Sequence, residues 1–454
     1  MEKTKEVKTL LGDPKKAVRS IAGPTIIAMV INSLYALIDA AWVAGLGYTA
    51  LAAVGVVNPI YLIILGFSNG LSTGATSVIS RYIGANNKKE ADNAAIHVLI
   101  LIAVFSICFI VLLNLILRPL LLTIGAGESI NLSIDYGSIL ISGSFFLIFS
   151  TTAYGIFRAE GNAKKATYAM LLGSIINMIL DPIFIYTFNL GIKGAALATV
   201  ISLAIVSTLI VYWLIKDSYI NFNLKEFVYK NKIIKQILSI GLPTGLEFLL
   251  LGIVSASLNV ILLTVSGLDS VAVYSGGWRV VALMFIPSIA IGTSLVAVSG
   301  VNFGGEKFEN IKIAYFYSIK IALIIAIIIS ISLFVLAPQI SQIFSFNEAS
   351  TNIISEMTQF LRITTVLYLF SAIGITSASL FRGVGKGLNA LIITILRSLI
   401  FQILFSYILA IQLGFGEIGV WYGIVLGIAT GNTIAFIWGQ LYIKKLIKKE
   451  KKGI

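Results

Sequence analysis

The sequence predicts an all-α membrane protein with twelve membrane-spanning helices in two six-helix lobes. Composition, hydropathy and an internal repeat lead to this fold class. Of the 454 residues, 58% are hydrophobic and 12% charged, whereas roughly 25% are charged in a soluble globular protein. The mean hydropathy of +0.97 is spread along the chain. A water-soluble core could not bury that much apolar surface, so the apolar side chains must face lipid.

Twelve apolar runs are long enough to cross a bilayer, since roughly 18 residues at about 1.5 Å each span the hydrocarbon core. Backbone in lipid must satisfy its own hydrogen bonds, and the alternation typical of barrels is absent, so each run is predicted as a helix. The first run is too long for a signal peptide and should stay in the mature protein. The predicted spans are 18–46, 51–79, 94–117, 132–157, 166–188, 194–215, 234–264, 271–300, 313–336, 353–380, 388–410 and 418–443.

Lysine and arginine lie almost entirely on one side of this arrangement. The opposite side holds Arg118 and Lys193 alone. The positive-inside rule then predicts a multi-pass plasma-membrane protein with both termini cytoplasmic. The formal net charge of +13 sets orientation and contacts anionic lipid headgroups, so nucleic-acid binding is not expected. The basic side carries residues such as Lys3, Lys5, Lys8, Lys15, Lys16, Arg19, Arg81, Lys88, Lys89, Arg158, Lys164, Lys165, Lys216, Lys225, Lys230, Lys307, Lys312, Arg382, Lys386 and Lys444.

Few residues suggest enzyme chemistry. Cys108 and His97 are the single cysteine and histidine, which excludes a disulfide framework and a His/Cys metal site. His97 is expected to be a solvated interface residue. The segment Gly70–Gly74 matches the nucleophile-elbow pattern but lies inside a predicted membrane helix. We therefore predict no catalytic residue, no metal site and no cofactor; a membrane enzyme would need an acidic or histidine cluster at one interface.

An internal repeat with a period of about 220 residues divides the chain. Because six spans separate the copies, both have the same orientation, with a pseudo-two-fold axis along the membrane normal and a cleft between the lobes. We predict an N-lobe at 1–215, a cytoplasmic linker at 216–233, and a C-lobe at 234–454 with a basic cytoplasmic tail. The paired segments begin at Ser20 and Ser239, Arg81 and Asn302, Gly155 and Ser379, and Gly191 and Gly416.

Glycines recur every fourth residue in the second and twelfth spans. This spacing places them along one face of each helix, where two backbones can approach closely. We predict helix packing there, in preference to a hinge. The stripes are Gly66, Gly70 and Gly74, and Gly423, Gly427 and Gly431.

Ionisable groups at membrane depth are costly, and each is a functional hypothesis. Asp39 and Asp181 each lie seven residues before the outer end of an ascending span, roughly 10 Å below the outer edge. Thr199, six residues into the descending sixth span, reaches the same depth. The full set well inside the membrane is Asp39, Asp181, Glu247, Arg279, Arg362 and Arg397.

Polar side chains accompany both acids. Asn177 precedes Asp181 by one helical turn, and Tyr35 and Asn32 precede Asp39 by one and two turns. Pro182 is expected to remove a hydrogen bond and bend the fifth span.

Two acids in a dry pocket cannot easily both stay ionised. They could share a proton, or hold Na⁺ with the oxygens of Asn177 and Thr199. The alternative is that the acids pair with intramembrane arginines, although no lysine or arginine of the N-terminal spans shares their depth. Glu247 with Arg279 or Arg397 is more simply a neutralising ion pair.

These residues resemble the multidrug and toxic compound extrusion (MATE) family, and within it the DinF-type branch. The resemblance covers essentially the whole chain. It rests on Gly12-Asp13-Pro14, Pro24, the run from Asp39 to Gly45, Arg158-Ala-Glu-Gly161-Asn, and Asn177-Met-Ile-Leu-Asp181-Pro182.

The resemblance implies a V-shaped, two-lobed transporter that exports amphipathic, often cationic compounds in exchange for a cation. Thr151 and Tyr154 stand where archaeal relatives carry asparagines. Another branch places a coupling glutamate about nine residues after the proline of the seventh span; Glu247 follows Pro243 by four, so that role is not transferred. The family's functional positions correspond here to Pro24, Tyr35, Asp39, Tyr136, Asn177, Asp181 and Thr199.

The function expected from the sequence is secondary antiport of amphipathic small molecules coupled to H⁺ or Na⁺, by a monomer. The rival is a flippase for lipid-linked oligosaccharides or lipids from the same superfamily. A large phosphorylated headgroup would need basic residues in both lobes, and the N-terminal spans lack them.

Overall fold

The computed structural model describes residues 3–343 and 351–452, and this part of the chain is helical with no strand. The chain divides into two compact units, Met1–Gly245 and Leu246–Ile454. The predicted linker and the first turns of the following helix therefore pack with the first unit.

The first unit contains a short N-terminal helix, the predicted spans one to six and the start of the seventh. Its helices are α1 (Lys5–Leu11), α2 (Pro14–Ala44), α3 (Tyr48–Gly84), α4 (Lys88–Ile124), α5 (Ile130–Ser142), α6 (Ser144–Ala159), α7 (Ala163–Pro182), α8 (Gly191–Lys216) and the beginning of α9 (Asn231–Val265).

The second unit contains the rest of α9 and the remaining spans. Its helices are α10 (Leu268–Met284), α11 (Ile286–Gly304), α12 (Phe308–Gln342), α13 (Thr351–Gly383), α14 (Gly387–Thr394), α15 (Ile403–Tyr407) and α16 (Gly416–Lys452), with π-helical turns at Ile395–Gln402 and Ile408–Gln412.

In the described part of the chain, these helices supply twelve candidate membrane spans. Eleven are long and apolar enough alone, and Gly127–Ser142 with Ser144–Ala159 forms the twelfth with a bend of 48°. The predicted spans are confirmed, but two of them are not continuous. The fourth breaks at Gly143, where a Cβ would lie 2.4 Å from Val200. The eighth breaks at Phe285, because Pro287 cannot donate the next helical hydrogen bond.

The backbone repeats its unusual conformations at the predicted period. Positive φ angles occur in pairs 220 to 225 positions apart, at the turns that join corresponding helices. Such angles favour glycine and asparagine, so the two halves share turn geometry as well as sequence. The pairs are Gly47 with Gly267, Asn86 with Glu306, Gly161 with Gly385, Asn189 with Gly414, and Gly191 with Gly416.

The glycine stripes are sites of close packing. A Cβ on Gly70 would lie 2.2 Å from the carbonyl oxygen of Gly241, and one on Gly427 would lie 2.4 Å from the Cα of Gln402. Any larger residue would separate these helix pairs, which confirms packing as their role.

The segment after α8 is bound to the first unit by α4. The Asn93 amide donates to the Val228 carbonyl (2.9 Å) and accepts from its N–H (3.3 Å). His97 Nε2 accepts from the Lys230 N–H at 2.9 Å, while Nδ1 lies 2.8 Å from the Asn93 carbonyl. His97 is fully buried, so the expectation of a solvated histidine was wrong: the linker covers it.

Glu160, directly after α6, binds the beginning of the same linker. Its carboxylate accepts hydrogen bonds from the Ser218 hydroxyl and from the N–H groups of Tyr219 and Ile220, the latter two at 3.2 Å. Burial raises the pKa of Glu160 to about 7, although these hydrogen bonds and Lys165 lower it. A group that titrates near neutrality therefore holds the linker.

Candidate cation site

The two predicted acids meet where α2 packs on α7. The carboxyl groups of Asp39 and Asp181 lie within hydrogen-bonding reach of each other. Asp181 is fully buried, and neither of its carboxylate oxygens has a hydrogen-bond donor. In the part of the chain that the structure describes, no salt bridge joins either acid to a lysine or arginine.

The other two predicted ligands lie beside the pair. The Asn177 amide donates to the Thr199 hydroxyl at 3.4 Å, and that hydroxyl donates to the Ala195 carbonyl at 3.1 Å. This leaves the amide oxygen of Asn177 buried without a partner. The site thus presents carboxylate and amide oxygens without a donor, which are the ligands that a proton or a hard cation prefers.

Three tyrosines surround the carboxyl pair. Tyr35 and Tyr136 were predicted from the sequence, and both interact electrostatically with Asp39 and Asp181. Tyr61 on α3 also interacts with Asp39, and sequence reasoning missed it. Tyr61 lies two residues after Pro59 in the second span, and a polar aromatic residue inside a span was the signal that could have identified it. No local sequence pattern, however, related this tyrosine to the two acids.

The outer ends of α2 and α7 are joined just beyond the site. The Tyr186 hydroxyl donates to the Trp42 carbonyl at 2.6 Å, and the two rings meet edge to face at 6.1 Å. Tyr186 lies in a π-helical turn, Ile183–Thr187, that follows Pro182. The irregularity expected from Pro182 is therefore this widened turn, which aims Tyr186 at α2.

The remaining predicted positions lie farther out. Pro24 is half-buried, and fifteen residues of helix place it about 22 Å along α2 from Asp39. Asn32 is exposed and has no hydrogen bond to either acid. The Thr151 carbonyl accepts from the Ser72 hydroxyl at 2.7 Å, and Tyr154 interacts electrostatically with Arg158 and Tyr61.

In the second unit, Glu247 forms an ion pair of 2.5 Å with Arg382. The predicted partners were Arg279 or Arg397; Arg279 is exposed, and Arg397 lies in electrostatic range of the pair. Arg382 was assigned to a loop, but α13 continues to Gly383, which keeps its side chain among the helices. Glu247 is therefore a compensated charge, unlike the two aspartates.

Twelve spans in two repeats, with an uncompensated carboxyl pair at depth in the first, define a polytopic membrane transporter. Residues 24–183 and 243–408 match the MatE family model; the two matched segments begin at the repeated prolines. The chain belongs to this family, the multidrug and toxic compound extrusion transporters. It is therefore a transporter and not an enzyme, and the predicted family is confirmed. The DinF-type branch stays a prediction.

Three known proteins show how similar this chain is to other transporters in sequence and in structure. Multidrug export protein MepA of Staphylococcus haemolyticus (strain JCSC1435) is 26% identical over 405 residues, covering 86% of each chain. A MOP superfamily transporter from Pyrococcus furiosus Vc1 (DSM3638), described with a binding pocket of reverse polarity that suggests a different function, is 37% identical with a TM-score of 0.96, over 98% of this chain and 99% of that one. An outward-facing multidrug resistance MATE transporter is also 37% identical, with a TM-score of 0.95 over 99% and 100%.

Proposed function

We propose that this protein is a multidrug antiporter that exports amphipathic, cationic small molecules in exchange for H⁺ or Na⁺. The kind of substrate follows the multidrug export of the MepA relatives. Both termini are cytoplasmic, as the basic loops indicate. The protein acts as a monomer and needs no cofactor beyond the coupling ion.

One observation carries the proposal: the buried Asp181 carboxylate has no donor, yet Asp39 is within hydrogen-bonding reach. Two carboxyl groups can hydrogen-bond only when one of them carries a proton. Without that proton, or Na⁺ in its place, two negative charges face each other away from water. The site is therefore built to take up one cation.

Cation uptake changes the contact between α2 and α7. When the proton or Na⁺ arrives, Asp39 is drawn to Asp181 and α2 packs closely on α7. When it leaves, repulsion loosens this contact. We propose that α2 transmits the change toward Pro24 and to the tyrosines Tyr35, Tyr136 and Tyr154, which line the substrate cavity together with Asn32 and Thr151. Substrate is released outward when the cation binds.

When one cation enters for each neutral substrate exported, one net charge moves, and about 100 mV supplies roughly 2.3 kcal/mol, which supports a substrate gradient of about 50-fold. When the substrate is itself a monovalent cation no net charge moves, and the concentration gradient of the coupling ion drives the exchange.

The test is dye uptake into proteoliposomes under separately imposed proton and sodium gradients. Asp39→Asn and Asp181→Asn should each strongly reduce gradient-driven dye uptake. Asp135→Asn is the matched control, because Asp135 lies on the same outer side but its side chain is 40% exposed and is paired with Lys193 at 3.3 Å. The control should transport as the unmodified protein does.

If either aspartate variant exported dye at the rate of the unmodified protein, the coupling mechanism would be contradicted. Dye movement under neither gradient would favour the lipid flippase instead.

A further inference from the structure

A cavity of about 380 Å³ lies between α12 and α16 in the second unit. Below it the two helices are in aromatic contact: Tyr315 stacks on Phe436 at 6.4 Å, and Phe316 meets the same ring edge to face. The cavity opens where α12 begins and α16 leaves the membrane, on the side of the basic loops.

The rim of the cavity is cationic. Lys444 and Lys448 lie one turn apart on the same face of α16 and are exposed. Lys312 lines the opposite wall on α12, and its side chain is 49% exposed. Glu309, at 3.5 Å from Lys312, is the one acid of the lining. Three lysines and one glutamate leave a net positive rim that suits a monoanionic or dianionic group.

The floor of the cavity is apolar. Phe316 is 40% exposed, Ile447 is half-buried and Ile443 is buried. The lipid-facing surface continues from this floor through the exposed side chains of Ile313 and Leu441. A free inorganic anion would gain nothing from such a floor, whereas an acyl chain would cover it.

We propose that this cavity binds one anionic phospholipid. Its phosphate lies among Lys312, Lys444 and Lys448, and an acyl chain lies on Phe316 and Ile447. Basic pockets between helices on the cytoplasmic side are suited to such headgroups. The bound lipid bridges the first turns of α12 and the last turns of α16. The proposal is independent of the coupling ion and the exported substrate.

The first unit supplies a natural comparison. A second basic hollow of about 600 Å³ is lined by Lys5, Lys8 and Lys16, with Thr9 and Asp13. It has the same number of lysines and one acid, but it lacks the apolar floor. Diffuse attraction of anionic lipid would act equally on both hollows, so only a built lipid site distinguishes them.

The experiment is native mass spectrometry of the detergent-solubilised full chain, titrated with phosphatidylglycerol and with phosphatidylcholine. The unmodified protein should bind its first phosphatidylglycerol at least about tenfold more tightly than phosphatidylcholine. The triple variant Lys312→Gln, Lys444→Gln, Lys448→Gln should lose this preference. These lysines are exposed, so the variant should elute and melt as the unmodified protein does.

Two further variants separate a lipid site from general charge. The control triple Lys5→Gln, Lys8→Gln, Lys16→Gln removes the same charge and should keep the first binding event within about twofold. Phe316→Ala keeps every charge and should weaken phosphatidylglycerol binding several-fold. Inorganic phosphate should not displace the lipid.

Equal losses in the two triple variants would overturn the proposal in favour of diffuse surface charge. Displacement by phosphate, or unchanged binding in Phe316→Ala, would show a soluble-anion site and would overturn it as well.

Discussion

The two halves of this protein share one backbone but place charge differently. The turn after α2 repeats 220 positions later, at Gly267, so Asp39 corresponds to Asn259. The turn before α8 repeats 225 positions later, at Gly416, so Asp181 corresponds to Ser406. Ser406 donates to the Val420 carbonyl at 3.3 Å, whereas Asp181 receives no donor. Duplication has therefore kept the helices and turns, while the uncompensated acids lie in the first half alone among these positions.

The repeated arginines show the opposite pattern. Arg158 donates to the Ser72 hydroxyl at 2.8 Å, and its counterpart Arg382 pairs with Glu247 at 2.5 Å. The second half thus pairs its half-buried arginine with a carboxylate, whereas in the first half a hydroxyl accepts the hydrogen bond of the corresponding arginine. The comparison indicates that the buried acid of the second half, Glu247, has a counter-charge, whereas Asp39 and Asp181 of the first half have none among the described residues.

The largest effect is expected from breaking the carboxyl pair. Asp39→Asn and Asp181→Asn should each lower gradient-driven dye transport by about 5- to 150-fold, the usual size of a coupling between two ligands. Because the acids act as one unit, the double variant should lose no more than either single variant. Ser406→Ala, at the corresponding position, should leave transport within about twofold.

Transport assays of the four variants at one protein density give the comparison. A double variant far weaker than both singles, or a loss in Ser406→Ala, would mean that the site is not confined to the first half.

Breaking the balanced pair of the second half should cost stability. Glu247→Gln removes the carboxylate from the ion pair with the half-buried Arg382, and removing one partner of a largely buried pair typically costs about 3–5 kcal/mol. Adding Arg382→Met to Glu247→Gln should restore part of the loss, because the arginine that lost its carboxylate partner is then gone and only the longer-range attraction between Glu247 and Arg397 stays lost. Thermal unfolding in detergent measures both; a double variant as unstable as the single would contradict a simple charge pair.

A smaller effect is expected where Glu160 binds the linker. Its pKa is raised from 4.5 in the free side chain to about 7 in the folded protein, so the folded state prefers the protonated carboxyl. The resulting stabilisation is complete below about pH 4.5 and is lost as pH rises through 7; its upper limit is about 3 kcal/mol. The melting temperature should therefore fall between pH 5 and pH 8.

Glu160→Gln is the control for that titration. It keeps one oxygen, which can accept from the N–H of Tyr219 or of Ile220, and it cannot ionise, so its melting temperature should vary less over the same interval. Parallel pH profiles for the two proteins would assign the titration to another group.

The smallest effect is expected at Ser72. Ser72→Ala removes the hydroxyl that accepts from Arg158 and donates to the Thr151 carbonyl. The loss of a hydrogen bond to a charged group predicts about 1–3 kcal/mol, less than for Glu247→Gln. Unfolding of both variants under one condition checks the order, and a reversed order would contradict the difference drawn between the two arginines.

The sequence by itself determined the twelve spans and the repeat, and it predicted a common depth for Asp39 and Asp181. These inferences depend on hydropathy, on the helical rise per residue and on periodicity, which are local properties of the sequence. The side chains at one depth were predicted to meet, and the bond between Asn177 and Thr199 follows that arithmetic.

The tertiary structure alone decided which side chains become partners. Tyr61 lies beside the carboxyl pair, and the linker buries His97. Arg382 forms an ion pair with Glu247, and the fourth span breaks at Gly143, against which Val200 packs. Each outcome depends on how one helix is rotated against another. Side chains far apart in the chain select that rotation by packing, and a periodic pattern within one span carries no information about it.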